Sequence, residues 1–91
     1  MDGDYLPIVK VAPSYPAALS AGLEGYVVLE FEVTSTGKVA NPIVIESSLE
    51  EVFDQAAMNA VLKFKYKPRV VAGKAVSVAG VRNRLNFKLA Q

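Results

Sequence analysis

Two residue types are missing from this 91-residue chain, which has no cysteine and no histidine. Their absence excludes thiol nucleophiles, disulfides and the usual cysteine and histidine zinc sites. Histidine is also the side chain most often used for acid–base chemistry at neutral pH. We therefore predict that the protein is not an enzyme and that it uses no cofactor or metal.

The sequence also lacks an apolar run of the ~20 residues needed to cross a bilayer, and it shows no signal peptide. Any membrane-spanning segment is therefore expected outside these residues. The composition, 52% hydrophobic and 21% charged, is typical of a globular protein. A chain of this length makes one small domain.

Acidic residues are absent from the carboxy-terminal part of the chain. Residues 1–54 contain all nine acids and two lysines, whereas residues 55–91 contain eight bases and no acid. The favoured interpretation is that the two halves face each other across one sheet and neutralise locally. The alternative is a basic surface for an anionic partner.

The first half of the chain predicts a short helix followed by a hairpin. Pro16 suits the first helical position and Gly22 the residue just past the end. Residues 25–33 alternate as a strand, and "TSTGK" reads as a turn. Residues 39–47 form the return strand, with Ile43 and Ile45 predicted to face the core. Because proline cannot donate to a ladder, Pro42 places this strand at an edge or at a bulge.

The second half predicts a longer helix and a final strand. Ser48 with Glu51, or Ser47 with Glu50, forms a capping box at the helix start. An apolar stripe at helical spacing follows, made of Val52, Phe53, Ala56, Ala57, Ala60, Val61 and Phe64. Beyond the helix, "KYKPRVV" is extended and "AGK" turns the chain into the final strand.

These elements predict an α+β fold with two helices packed on one face of a small, mainly three-stranded antiparallel sheet. The final strand, "GVRNRLNFKLA", alternates apolar and polar residues. If it pairs with the first strand, its second edge is open. Open edges are normally blunted by lysine, proline or bulges. The bases of this strand, Arg82, Arg84 and Lys88, lie on a face of the sheet rather than in the plane of its edge. We therefore interpret the edge as a docking edge for an added strand. The same edge in a second copy makes a homodimer possible.

Two other motifs have competing interpretations. The segment "KFKYKPR" interleaves bases with aromatics, which would suit RNA binding. We favour the simpler interpretation that Phe64 and Tyr66 belong to the core. Glu50, Glu51 and Asp54 would suit an acid–base couple or a site for a hard cation. We favour the simpler interpretation that they lie in the predicted first turn of a helix, which explains them without chemistry.

Several quoted segments together resemble the carboxy-terminal domain of the TonB family, over roughly residues 10 to 90. They are Tyr15–Pro16, then "AALSAGLEGYVVLEFEVTSTGKV", then "FDQAAMNAVLKFKYKP" and a closing "NFKL". The family carries aromatics where this chain has Phe53, Phe64, Tyr66 and Phe87. This chain is similar to a divergent, second type of TonB, because Ala12 stands where the family has a glutamine and Phe64 where it has a tryptophan.

The resemblance implies the receptor-binding domain of an energy transducer, anchored in the inner membrane and lying in the periplasm of a Gram-negative bacterium. Such a domain binds the TonB box of outer-membrane receptors for iron–siderophores or cobalamin. The remainder of the transducer works with ExbB and ExbD on the proton gradient.

The resemblance also implies the site and the domain boundaries. Residues 1–9 would form an amino-terminal tail or linker, and residues 10–90 the domain. No nucleic acid is expected as a partner. The partner-binding residues are expected to be Lys10, Val11, Ala12, Pro13, Tyr15, Pro16, Val81, Arg82, Asn83, Arg84, Leu85, Asn86, Phe87, Lys88 and Leu89.

Overall fold

One helix and five strands make up the described part of the protein. The computed structural model describes residues 7–10, 22–49 and 52–88. The elements in chain order are β1 (Gly25–Val33), β2 (Val39–Ser47), α1 (Asp54–Val61), β3 (Arg69–Val71), β4 (Lys74–Val76) and β5 (Val78–Phe87).

The main sheet has three antiparallel strands in the order β2–β1–β5. This is the predicted order, with the final strand beside the first and the return strand at the other edge. The predicted first helix, which begins at Pro16, lies outside the described residues. The α+β class is thus confirmed as an antiparallel sheet with one helix.

The core lies between the sheet and α1. Along β1 every second side chain is buried, and α1 adds Ala57, Ala60 and Val61. The rings of Phe53 and Phe87 stack with centroids 4.5 Å apart. Phe64 and Tyr66, 1% and 2% exposed, belong to the same cluster. The interpretation that Phe64 and Tyr66 belong to the core is confirmed, and all four of the aromatics at the family's positions share that core.

The predicted capping box is wrong. The helix begins at Asp54, its N-cap residue is Phe53, and no side chain caps it. The hydroxyl of Ser48 instead accepts a hydrogen bond from the backbone N–H of Tyr26, at 2.9 Å. Ser47 donates to the Asp54 carboxylate at 2.8 Å. Both serines therefore tie the end of β2 to its surroundings rather than starting the helix.

The prediction that Ile43 and Ile45 face the core is also wrong, because they are 54% and 38% exposed. The register between β1 and β2 shifts twice, opposite Val28/Leu29 and opposite Glu30/Glu32. Each shift inserts an extra residue into β2, and an extra residue reverses the face that the following side chains occupy. Val44 packs against the core in their place.

The segment between α1 and β5 forms a hairpin that the sequence only partly indicated. The turn at "AGK" is confirmed, since β3 pairs with β4 around Ala72 and Gly73. Both turn residues have positive φ, 52° and 80°, as a type I′ hairpin turn requires. Val70 and Val71 are 63% and 55% exposed, so this hairpin stands outside the core.

The turn between β1 and β2 is held by the segment after α1. Tyr66 donates its backbone N–H to the Gly37 carbonyl at 2.8 Å. On the other side of that segment, Ile8 and Val9 donate to the Lys65 carbonyl at 2.7 and 3.1 Å, and Lys65 donates back to Val9 at 2.9 Å. Residues 8 and 9, which were predicted to be tail, are thus tied to the domain. The boundary at residue 10 stays a prediction.

Replacing Phe64 with alanine should destabilise the domain by about 3–5 kcal/mol, because a fully buried ring leaves a cavity that the core cannot close. The matched control is Leu62→Ala, two residues away, where the side chain is 50% exposed. That variant should stay within about 0.5 kcal/mol of the parent. Urea unfolding of both variants measures the difference, and equal stabilities would contradict the described core.

Gly37→Ala should destabilise far more than Gly73→Ala. Both glycines have positive φ, 87° and 80°, so each alanine costs about 1–2 kcal/mol of backbone strain. A Cβ at Gly37 would also collide with the Tyr66 carbonyl, whereas one at Gly73 meets nothing within 4 Å. The free energy of unfolding of the pair tests this. Similar losses would show that the Gly37–Tyr66 contact does not constrain the turn.

Candidate docking edge

Most of the predicted carboxy-terminal site residues lie along β5. Residues 81–87 belong to the strand, and the exposed Lys88 follows it directly. Lys10 is exposed and follows the pairing of Val9 with Lys65. The remaining predicted site residues lie outside the described residues; they are Val11, Ala12, Pro13, Tyr15, Pro16 and Leu89. Whether the two groups meet stays a prediction.

The side chains of β5 separate into a core face and a solvent face, as the alternation predicted. Val81, Leu85 and Phe87 are buried. Arg82, Arg84 and Asn86, from the alternate positions, are exposed. Burial of these side chains therefore fixes the register of β5.

The backbone of the central strand β1 shows which β5 groups face that edge. Tyr26 exchanges hydrogen bonds with Ser48, and Thr34 donates to Lys38 at 2.8 Å. The even-numbered residues of β1 thus point toward β2. Since neighbouring residues of a strand point to opposite sides, the odd-numbered residues, such as Val27, point toward β5.

The register between β1 and β5 then assigns the amides of β5. Val27 lies opposite Leu85, and the pairing runs without a shift from Gly25 to Phe31. Leu85 and the other odd-numbered residues from 81 to 87 therefore bond to β1. The N–H and C=O groups of Arg82, Arg84 and Asn86 face away from it. Among the described strands, β1 is the only one that pairs with β5, so these groups form an open edge.

The second outer strand, β2, offers a much poorer edge. Pro42 has no N–H to donate, and two register shifts interrupt the strand. Asn41 has a positive φ of 53° beside the proline. Proline and bulges are the usual devices that stop a strand from pairing further. Of the two outer strands of the sheet, β5 is therefore the one suited to accept a partner.

Opposite charges neutralise part of the solvent face of the sheet. Arg82 Nε lies 3.1 Å from Glu30 Oε2, and the two residues are direct cross-strand partners. This pair agrees with the expectation that the acidic and basic halves neutralise locally across one sheet. Arg84 makes a different contact, because its guanidinium lies 4.0 Å from the centre of the Tyr26 ring. Arg84 also donates to Asn86 Oδ1 at 3.1 Å.

Tyr26 links Arg84 to the far strand. Its hydroxyl donates to the Glu46 carboxylate on β2, and this hydrogen bond raises the pKa of Tyr26 above its ordinary value, although Arg84 acts in the opposite direction. The phenol is therefore a neutral donor at physiological pH. This cluster was not predicted, because the two bulges in β2 that bring Glu46 opposite Val28 leave no marker in the sequence pattern.

The basic segment 63–69 does not form a stacking platform. Phe64 and Tyr66 are buried, while the neighbouring Lys63, Lys65 and Lys67 are exposed. Buried rings are unable to stack on bases, so the interpretation as core residues is correct and the RNA-binding alternative loses its main support.

Three further features of the described residues bear on function, namely metal binding, the acids at the helix start and membrane crossing. None of their His, Cys, Asp and Glu side chains gather in a group of three or more that could hold a metal ion. Of the three acids considered at the helix start, Glu50 and Glu51 lie outside the described residues, and Asp54 accepts from Ser47. No helix within the described ranges is long and apolar enough to cross a membrane.

Comparison with known proteins gives one consistent family. The family described as Gram-negative bacterial TonB protein C-terminal matches residues 11–89. Protein TonB of Pseudomonas aeruginosa is 36% identical over 77 residues, covering 84% of this chain and 22% of the relative. Protein tonB2 of the same organism is 40% identical over 79 residues, covering 86% and 29%. The chain thus spans less than a third of the length of either relative.

A solved structure agrees with the fold. The solution NMR structure of the Pseudomonas aeruginosa TonB CTD superposes with a TM-score of 0.76 at 32% identity, covering 99% of this chain and 91% of that one. Sequence and fold thus point the same way, and the chain belongs to the family of TonB C-terminal domains of Gram-negative bacteria.

Proposed function

We propose that this domain binds outer-membrane receptors by accepting a receptor segment, the TonB box, as a fourth strand on the open edge of β5. The observation that supports this most is the set of backbone groups of Arg82, Arg84 and Asn86 that face away from β1. Strand addition needs such a row of free donors and acceptors on a regular strand. The blocked edge of β2 supports the choice of β5.

The energetics favour a weak and reversible complex. Ordering each peptide residue costs about 1–2 kcal/mol, and each net hydrogen bond contributes about 0.5–1.5 kcal/mol. A bare ladder therefore contributes little. The rest of the affinity comes from side-chain contacts and from residues 10–16, for a dissociation constant of about micromolar. Such a partner is released readily, which suits repeated cycles of transport.

The role of the whole protein follows from family membership and is part of the proposal. The domain lies in the periplasm, and an inner-membrane anchor in another part of the protein connects it to ExbB and ExbD. The transducer then couples the proton gradient to uptake of iron–siderophores or cobalamin through TonB-dependent receptors. The domain itself performs no catalysis in this scheme.

Proline substitutions at neighbouring β5 positions should separate folding from binding. Leu85→Pro removes an N–H that bonds to β1, so this variant should lose stability. Arg84→Pro removes an outward N–H, so it should fold and bind a receptor TonB-box peptide at least about tenfold more weakly. Melting temperature and peptide affinity by NMR titration are measured together.

The matched control is Arg84→Ala, which keeps the backbone N–H and loses the contact with Tyr26. It separates the side-chain contribution from that of the edge, and Asn86→Pro repeats the test at a second outward position. If Arg84→Pro and Asn86→Pro both fold and bind as tightly as Arg84→Ala, β5 is not the docking edge. Residues 10–16 would then become the leading site.

A further inference from the structure

Strands β4 and β5 are separated by a single residue, Ser77. Each has one partner among the described strands, β3 for β4 and β1 for β5. If those two partners lie on the same side, the opposite edges of β4 and β5 form one line. Two independent observations bear on which side β3 occupies.

The first observation is the direction of the backbone groups. Val71 and Lys74 flank the two-residue turn of the hairpin, and residues in that position exchange both of their backbone hydrogen bonds. Lys74 and Val76 therefore point toward β3. Val78 lies opposite Val33, an odd-numbered residue of β1, and so points toward β1. Lys74, Val76 and Val78 are spaced two residues apart, and alternate residues of an extended chain point to the same side. This spacing is the one expected when β3 and β1 lie on the same side of the β4–β5 segment.

The second observation is the path of the chain into β3. The Tyr66 N–H bonds to the Gly37 carbonyl at 2.8 Å, in the turn that follows β1. Pro68 Cδ lies 3.6 Å from the position that a Cβ on Gly37 would take. Strand β3 begins at the next residue, Arg69. It therefore starts beside the carboxy-terminal end of β1 and continues that side of the sheet.

We infer that β4 and β5 present one continuous open edge, and that the partner is an extended segment long enough to pair with both strands. This inference rests on the proposed function and assigns its partner a length. At about 3.3 Å per residue, the edge from Lys74 to Phe87 is roughly 40–45 Å long, nearly the 50 Å of the longest dimension of the molecule. The occupant is a strand of about 12–14 residues.

An irregularity divides this edge into two parts. The register between β1 and β5 shifts between Phe31/Val33, where β5 has an extra residue, and Gly80 there has a φ of 72°. The outward groups of Ala75 and Ser77 precede the shift, and those of Arg82, Arg84 and Asn86 follow it. The occupant therefore makes two paired stretches with an interruption between them.

Two peptides from one TonB-dependent receptor test the inference. The shorter peptide is about seven residues long, contains the TonB box and can pair with positions 82–86 only. The longer peptide extends the same sequence to about fifteen residues. The longer peptide should bind at least about fivefold more tightly. In its complex the amides of Ala75 and Ser77 should gain protection from hydrogen exchange together with that of Arg84. The shorter peptide should protect only the β5 amides.

Ala75→Pro removes an outward N–H of β4 and should reduce the affinity of the longer peptide to that of the shorter one. The affinity of the shorter peptide should not change. Ala75→Ser keeps the N–H and is the matched control. If the longer peptide gains nothing, or if Ala75→Pro leaves its gain intact, the continuous edge is refuted while docking on β5 stands. If neither peptide binds at β5, the proposed function itself is wrong.

Discussion

The alternation of backbone groups along β1 is the constraint on which the rest of the sheet depends. Even-numbered residues point to β2 and odd-numbered residues to β5, so the central strand is paired along both of its edges. Its odd-numbered side chains also form the floor of the core. Because one strand fixes both the ladder and the packing, the register of β5 cannot slip without exposing Leu85 and Phe87.

The two outer strands, β2 and β5, differ in the regularity of their outer edges. In β2, Pro42 and two inserted residues break the regular pattern, at the expense of exposing Ile43 and Ile45. In β5 the run from Val81 to Phe87 is uninterrupted. The domain therefore protects one side of its sheet and leaves the other available. Two equivalent open edges would instead allow open-ended association.

Much of this organisation could be predicted from local pattern. The period of two in β1 and β5 gave their buried faces, and the spacing of Phe53, Phe64 and Tyr66 gave the core. The errors arose where a tertiary contact competed with a local signal. Ser48 has the sequence context of a helix cap, yet its hydroxyl is used by Tyr26. The side chains of Ile43 and Ile45 follow bulges, which add a residue without leaving a marker in the pattern.

The direction of the β5 amides could not be obtained from the sequence at all. Side-chain alternation shows which residues are buried, but it does not show which neighbour each backbone group faces until the pairing partner and the register are known. One hydrogen bond at each end of β1 was sufficient to decide it. The placement of β3 likewise depended on the contact between Tyr66 and Gly37.

The arginines of β5 have a consequence for self-recognition. If two copies paired symmetrically through this edge, the strands would run antiparallel about a twofold axis. With the axis at residue 83, Arg82 of one copy would lie opposite Arg84 of the other, and with the axis at residue 84 the two Arg84 side chains would meet. Like charges directly opposite each other destabilise a strand pair. A foreign strand without bases at these positions escapes that repulsion, whereas a second copy in either of these two registers does not.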